Sequence, residues 1–194
     1  MRITHTGLMV TASLLFGLAS RGEILRGQDT RGGVEPVSSA PNSKMKMLAA
    51  APLPVKLGSG PITLTLAPAA AAEESTLPAA LKNLKPEEHL YLVITDLKAS
   101  EPPGVFYDVY LDLPRRAHPK LEDPHIVGTL NFYNSVGVSA GNPGFFFSFD
   151  ITATARSLQA RNLLSGRTTL TIVPSGDPAA NAEAVVGRVE LVKQ

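Results

Sequence analysis

The stretch Val105-Phe106-Tyr107-Asp108-Val109-Tyr110-Leu111-Asp112-Leu113-Pro114 decides the fold, because its side chains alternate strictly. The odd-numbered positions are all apolar or aromatic, whereas the even-numbered positions include two aspartates. Successive side chains of a strand leave opposite faces of a sheet, so the alternation predicts a strand that is buried on one face.

A second strand is predicted just before it, in Glu88-His89-Leu90-Tyr91-Leu92-Val93-Ile94-Thr95-Asp96-Leu97. Both of its alternating sets are mostly apolar, which is typical of a strand covered on both faces. The connecting segment Ala99-Ser100-Glu101-Pro102-Pro103-Gly104 favours a chain reversal, since proline fixes φ and glycine frees it. The two runs are therefore predicted to be neighbouring antiparallel strands of one sheet.

An aromatic strand is predicted in Phe145-Phe146-Phe147-Ser148-Phe149-Asp150-Ile151. Alternation places Phe145, Phe147 and Phe149 on one face, and each phenylalanine ring can bury about 150–250 Å². These three rings are predicted to form the centre of the core. Further short strands are predicted at residues 55–57, 62–66, 125–133, 168–174 and 184–192.

One short helix is predicted at residues 153–164, capped by Asp150 or Thr152 and ended by Gly166. A helical turn at residues 77–81 would be kept short by the prolines around it. About seven or eight strands at this spacing are typical of an all-β fold. The sequence thus predicts an antiparallel β-sandwich with one short helix, preceded by a disordered N-terminal segment.

The N-terminal segment has the pattern of an export signal followed by a linker. Residues 1–20 carry an apolar run that is too short to span a bilayer comfortably and is followed by small residues, which predicts a signal peptide and a periplasmic or extracellular location. Residues 21–52 are rich in glycine, serine, proline and charge, which predicts a flexible linker. The sandwich domain is then expected over residues 53–194, with no membrane span once the signal is removed.

The composition excludes several classes of function. The formal net charge is +1, with 18 basic and 17 acidic side chains, so the basic stripe that nucleic-acid binding requires is absent. The chain contains no cysteine, which excludes disulfides, thiolate catalysis and zinc–cysteine sites. A hydrophobic fraction of 44% is sufficient for a substantial core.

No catalytic residues or cofactor are predicted from the motifs. The sequence lacks a nucleophile elbow, a phosphate-binding loop and a helical His-Glu-x-x-His pair. His118, Asp123 and His125 lie close together in a polar segment and are candidate metal ligands, because imidazole and carboxylate suit zinc or copper. The alternative is a plain exposed loop bounded by Pro119 and Pro124.

The order of the strand segments resembles the C-terminal β-sandwich domain of tyrosinases, or polyphenol oxidases. In the plant branch the second strand carries a Phe-Asp-Val-Tyr core, and this sequence has Tyr107-Asp108-Val109-Tyr110 at that place. The resemblance covers about residues 50–194. The segments that carry it are 91–97, 106–114, 127–133, 147–152, 170–174 and 186–191.

The resemblance implies an accessory domain without the oxidase. Tyrosinases hold two coppers with six histidines on a helical bundle, and the four scattered histidines of this sequence cannot supply such a site. The implied partner is a separate type-3 copper oxidase domain, which this chain would cover in trans without being an enzyme. In the family a bulky side chain can plug the copper site, and the candidates here are Phe132, Tyr133 and Phe145, unless these rings belong to the core.

Two other hypotheses remain open at this point. One is a stand-alone exported module that binds a surface or a carbohydrate and shares only the sandwich fold. Exposed rings of Tyr91, Phe106 and Tyr110 along one sheet face would favour it. The other hypothesis is a gene fragment, the tail of a longer oxidase.

Overall fold

The computed structural model describes residues 45–51, 54–70, 72–115, 119–120, 122–133, 135–136 and 144–194. This part of the chain contains eleven strands and two helices. In chain order they are β1 (Lys46–Ala50), β2 (Val55–Lys56), β3 (Ile62–Thr65), β4 (Ala67–Pro68), α1 (Leu77–Lys82), β5 (Leu90–Leu97), β6 (Tyr107–Leu111), β7 (Ile126–Leu130), β8 (Phe145–Asp150), α2 (Thr152–Ala160), β9 (Thr169–Pro174), β10 (Val185–Val186) and β11 (Arg188–Lys193).

The strands form three antiparallel sheets. A five-stranded sheet has the order β4-β1-β11-β5-β8, a four-stranded sheet has the order β3-β9-β6-β7, and β10 pairs with β2. One cluster of buried side chains draws on the inner faces of both larger sheets. The prediction of an all-β antiparallel sandwich is therefore confirmed. The described strands exceed the predicted seven or eight because β1 and β4 lie outside the predicted strands, and because the predicted strand 184–192 is divided at Gly187 into β10 and β11.

The two strands that decide the fold supply the centre of the core. On β5, Leu90, Leu92 and Ile94 are fully buried, whereas Tyr91, Val93 and Thr95 are only partly buried, so the predicted full cover holds for one face of this strand. On β6, the side chains of Tyr107 and Val109 are at most 1% exposed. Side chains of both strands belong to one buried cluster, so their burial stabilises both sheets together.

The predicted pairing of these two strands is wrong. β5 pairs with β11 and β8, whereas β6 pairs with β9 and β7, so the two strands belong to different sheets. The segment around Pro102-Pro103-Gly104 carries the chain from one sheet to the other. Alternation determines which face of a strand is buried, but it contains no information about the neighbouring strand.

The prediction that the phenylalanines of β8 form the centre of the core is also wrong. Phe145 is 43% exposed, and Phe147 and Phe149 are only partly buried. They do share the inner face, where the rings of Phe147 and Phe149 stack with centroids 5.9 Å apart. β8 is the last strand of its sheet, so these rings lie at the margin of the sandwich, where the ring of Phe149 packs against Gly128 of β7.

The helices and the domain boundary differ in detail from the prediction. α2 ends at Ala160, and Asn162, with φ 55°, adopts the left-handed conformation that was expected of Gly166. Asp150 accepts a bond from the Thr152 amide at 2.9 Å, although Ile151 occupies the cap position.

β1 lies inside the range predicted as a linker, so the sandwich begins before residue 53. The predicted signal peptide, residues 1–20, lies outside the described residues.

A buried carboxylate connects β1 to the end of β11. Glu74 is 6% exposed and lies 3.3 Å from the Lys193 ammonium and 3.5 Å from that of Lys46. Burial opposes ionisation of Glu74, but the hydrogen bond and charge of Lys193, together with the charge of Lys46, outweigh it and hold the pKa of Glu74 below its usual value. The ionised Glu74 is therefore favoured by the folded state.

We expect the stability contributed by Glu74 to be lost in acid. Because folding lowers its pKa, the contribution is fully present above the unfolded-state pKa and disappears as the pH falls through the lower folded-state pKa. Glu74→Gln should therefore flatten the acid limb of a stability–pH profile measured by urea unfolding. Glu73→Gln, which removes the charge of a side chain that is 85% exposed, is the control and should leave that limb nearly unchanged. Identical acid limbs for Glu74→Gln and the unmodified protein would contradict this account.

Candidate functional site

The candidate metal ligands have structural roles in the part that is described. His118 lies outside the described residues. The Asp123 carboxylate accepts a bond from the backbone amide of His125 at 2.9 Å. The ring of His125 is 4% exposed, and its Nδ1 donates to the Leu111 carbonyl at 2.7 Å. Among the described residues, no group of three histidine, aspartate or glutamate side chains could hold a metal ion.

Asp108 and Asp112, the two aspartates of the segment 105–114, accept hydrogen bonds that join this segment to neighbouring parts of the chain. Asp108 accepts a bond from the Thr129 hydroxyl on β7 at 2.8 Å. Asp112 is 5% exposed and accepts bonds from the amides of Thr169 and Ser165 at 2.7 and 3.0 Å. These carboxylates hold the sheet and the loop before β9 together.

The three plug candidates have different environments. Phe132 is 2% exposed and packs edge to face on Tyr107, with ring centroids 5.6 Å apart, so the expectation that it faces a partner is wrong. Tyr133, the next residue, is 87% exposed. Phe145 lies at the start of the edge strand β8, opposite Leu97. Only Tyr133 presents most of its ring to the surroundings.

Tyr133 stands at the rim of a groove, here called the Tyr133 groove, of about 580 Å³. A turn holds Tyr133 in place, since its amide donates to the side-chain oxygen of Asn131 at 3.2 Å. Phe106, 59% exposed, forms part of the wall. None of the eight residues that line the groove carries a charge. They are Pro102, Pro103, Gly104, Val105, Phe106, Asn131, Phe132 and Tyr133.

The resemblance to the tyrosinase C-terminal domain points to two residues of this groove, Phe132 and Tyr133. The sequence of its wall, Pro102, Pro103 and Gly104, predicts only a chain reversal. Gly104 adopts φ 73°, which the reversal requires and which glycine permits. The close approach of residues 102–106 to 131–133 depends on the crossing between sheets, and no local pattern predicts it.

The row of exposed rings expected for a carbohydrate-binding face is not formed. Tyr110 is 2% exposed, and its hydroxyl donates to the Lys120 carbonyl at 3.4 Å, so the loop after β6 covers it. Tyr91 is partly buried and lies on β5, in the sheet that does not contain β6. Of the three, Phe106 alone is well exposed, and three rings on two sheets cannot line one binding face.

The described helices are short. α1 has six residues and α2 has nine, and within the described ranges no helix is long and apolar enough to cross a membrane.

Comparison with known proteins places the chain in one family. A family model described as "Domain of unknown function (DUF7868)" matches residues 44–194. No curated protein matches the chain. Among solved structures, it is similar to a recombinantly expressed latent aurone synthase, a polyphenol oxidase, with 18% identity and a TM-score of 0.46 over 72% of this chain and 25% of that chain.

It is also similar to latent apple tyrosinase, with 14% identity and a TM-score of 0.48 over 73% of this chain and 27% of that chain. The chain spans about a quarter of the length of these oxidases. At this level of identity the likeness is one of fold.

Proposed function

This chain belongs to the DUF7868 family, whose function is unknown, and we propose that it is a non-catalytic accessory domain that covers the dicopper site of a separate type-3 copper oxidase. Tyr133 is the group that it presents to the oxidase. The observation that carries this proposal is the exposure of Tyr133, 87%, at the rim of a neutral, largely apolar groove.

The chemistry of the Tyr133 groove suits a protein partner. Aromatic side chains are enriched in the central parts of protein interfaces, and charged residues are depleted there. A tyrosine ring is rigid and offers a large contact area for the ordering of few torsions, so it commonly carries much of the binding energy. The groove beside Tyr133 can in turn accept an apolar group from the partner.

In this proposal the domain inhibits the oxidase by keeping the phenolic substrate out of the dicopper site. A phenol ring placed over the entrance of a dicopper site occupies the space that a phenolic substrate needs, and the surrounding apolar wall keeps water out. The sequence order that resembles the tyrosinase C-terminal domain supports this assignment. The copper and its histidine ligands belong to the partner in this scheme, and this chain supplies shape and apolar surface.

We expect the purified chain to inhibit catechol oxidation by a type-3 copper oxidase catalytic domain from the same genome. Tyr133→Ala should raise the concentration needed for half-inhibition by at least about tenfold, since truncation of a central aromatic residue commonly costs about 2 kcal/mol or more. Oxygen consumption with catechol as substrate measures this effect.

Two controls make this test specific. Tyr91→Ala removes a partly buried tyrosine of the other sheet and should leave inhibition unchanged. The chain alone, incubated with copper, should oxidise no catechol. Turnover by the chain itself, or equal inhibition by the Tyr133→Ala variant, would overturn the proposed function.

A further inference from the structure

Strand β8 has one side that pairs with no other strand among the described residues. It is the last strand of the five-stranded sheet, next to β5. The amide of Ile151 donates to the Leu90 carbonyl at 2.9 Å, and the register pairs Phe149 with Leu92 and Phe147 with Ile94. In an antiparallel ladder, alternate residues bond to the same neighbour. The backbone groups of Phe146, Ser148 and Asp150 therefore point away from the sheet.

The same alternation is seen on the other side of β5. The amide of His89 donates to the Gln194 carbonyl at 2.8 Å, and the register pairs Tyr91 with Val192 and Val93 with Glu190. Tyr91 and Val93 thus bond to β11. Their partners across β8 are Asp150 and Ser148, whose backbone groups consequently face outward.

This edge lacks most of the features that normally prevent pairing with another chain, and the one bulge in the β5–β8 pair lies on β5, between Ile94 and Leu97. Proteins protect edge strands with lysine, proline, bulges or very short length. β8 has six residues, contains no lysine or proline, and exposes Phe146 by 63% and Phe145 by 43%. Its one charged side chain, Asp150, lies at the strand end and accepts from His89 at 2.8 Å. The middle of the strand carries no charge that would oppose a second strand.

We propose that β8 pairs with β8 of a second copy of this chain, antiparallel and about a two-fold axis at Ser148, so that two five-stranded sheets form one continuous sheet. The outward-facing residues are spaced symmetrically about Ser148, so Phe146 of each copy pairs with Asp150 of the other. No like charges then meet across the axis. On the inner face, Phe147 of one copy lies opposite Phe149 of the other, and cross-strand aromatic pairs stabilise a sheet.

A second copy of this chain suits the unpaired side of β8 better than an unrelated segment does. A two-fold interface uses the same surface twice and must be self-complementary, which a strand with a symmetric outward register is. It also covers the two inner-face rings that the sandwich leaves partly exposed. The pairing surface is distinct from the Tyr133 groove, since no residue of β8 lines that groove, so this proposal is independent of the proposed function.

Sedimentation equilibrium of the full chain over a range of concentrations tests the proposal, with a reversible monomer–dimer equilibrium expected. Ser148→Pro removes one outward amide and leaves the bonds to β5 in place, so it should raise the dissociation constant by about tenfold or more. Ser148→Ala keeps the amide and is the matched control. Phe146→Lys, which places a charge on the edge, should also abolish the dimer, whereas Phe106→Lys at the Tyr133 groove should not.

Hydrogen exchange on the unmodified chain provides a readout that needs no variant. Raising the concentration should slow exchange at the amides of Phe146, Ser148 and Asp150, while Phe147 and Phe149 are slow at every concentration. A monomer at all concentrations, a dimer that survives Phe146→Lys, or slowed exchange at another edge instead would each overturn the proposal.

Discussion

Replacing Leu92 by alanine is expected to lower the free energy of unfolding by about 3 kcal/mol, because a buried leucine truncated in a packed core loses its transfer free energy and leaves a cavity. Leu92 is fully buried on β5, which lies between β11 and β8. Its register partners are Leu191 and Phe149, so strands on both sides enclose the cavity and limit its collapse.

Phe145→Ala is the matched comparison for Leu92→Ala. The sequence pattern placed Phe145 at the centre of the core, but the side chain is 43% exposed, so its truncation should cost only about 1 kcal/mol. Urea unfolding followed by circular dichroism measures both variants. If Phe145→Ala proved as destabilising as Leu92→Ala, the core would be centred on β8, contrary to the fold described above.

The second large effect is expected at Asp112, whose replacement by alanine should cost about 3 kcal/mol. Its carboxylate accepts from the amides of Thr169 and Ser165 and from the Thr169 hydroxyl at 3.2 Å. Hydrogen bonds to a charged acceptor contribute about 1.5–3 kcal/mol each, and two part-buried amides would lose their partner. Asp112 also has φ 49°, a conformation that alanine adopts less readily than aspartate.

Two further substitutions separate these contributions. Asp112→Gly removes the cost of the positive φ at this position, but it also removes the carboxylate that accepts the hydrogen bonds. This variant should therefore remain clearly less stable than the unmodified protein. Asp108→Ala removes a carboxylate of the same strand segment that accepts one hydroxyl, and it should cost about 1 kcal/mol. Thermal unfolding of the three variants gives the order of stability. An Asp112→Gly variant as stable as the unmodified protein would show that the hydrogen bonds contribute nothing.

The candidate site was only partly predictable from the sequence. The family resemblance makes both Tyr133 and its neighbour Phe132 candidate plugs, but Tyr133 is highly exposed whereas Phe132 is buried. β7 ends at Leu130, two residues before Phe132, so strict alternation no longer applies there. Which of two consecutive rings turns inward depends on Tyr107 of β6, against which Phe132 packs.

The sequence by itself determined the fold class and the buried face of β6, because alternation of side chains is a property of the strand alone. It predicted that Tyr107, Val109 and Leu111 share one face, and all three are buried. Only the tertiary structure decided that β5 and β6 belong to different sheets, that β8 lies at an edge, and that residues 102–106 meet residues 131–133 in a groove. The physical reason is that strand order and sheet assignment depend on contacts between residues far apart in the chain. A period of two residues is the same for a central strand and an edge strand.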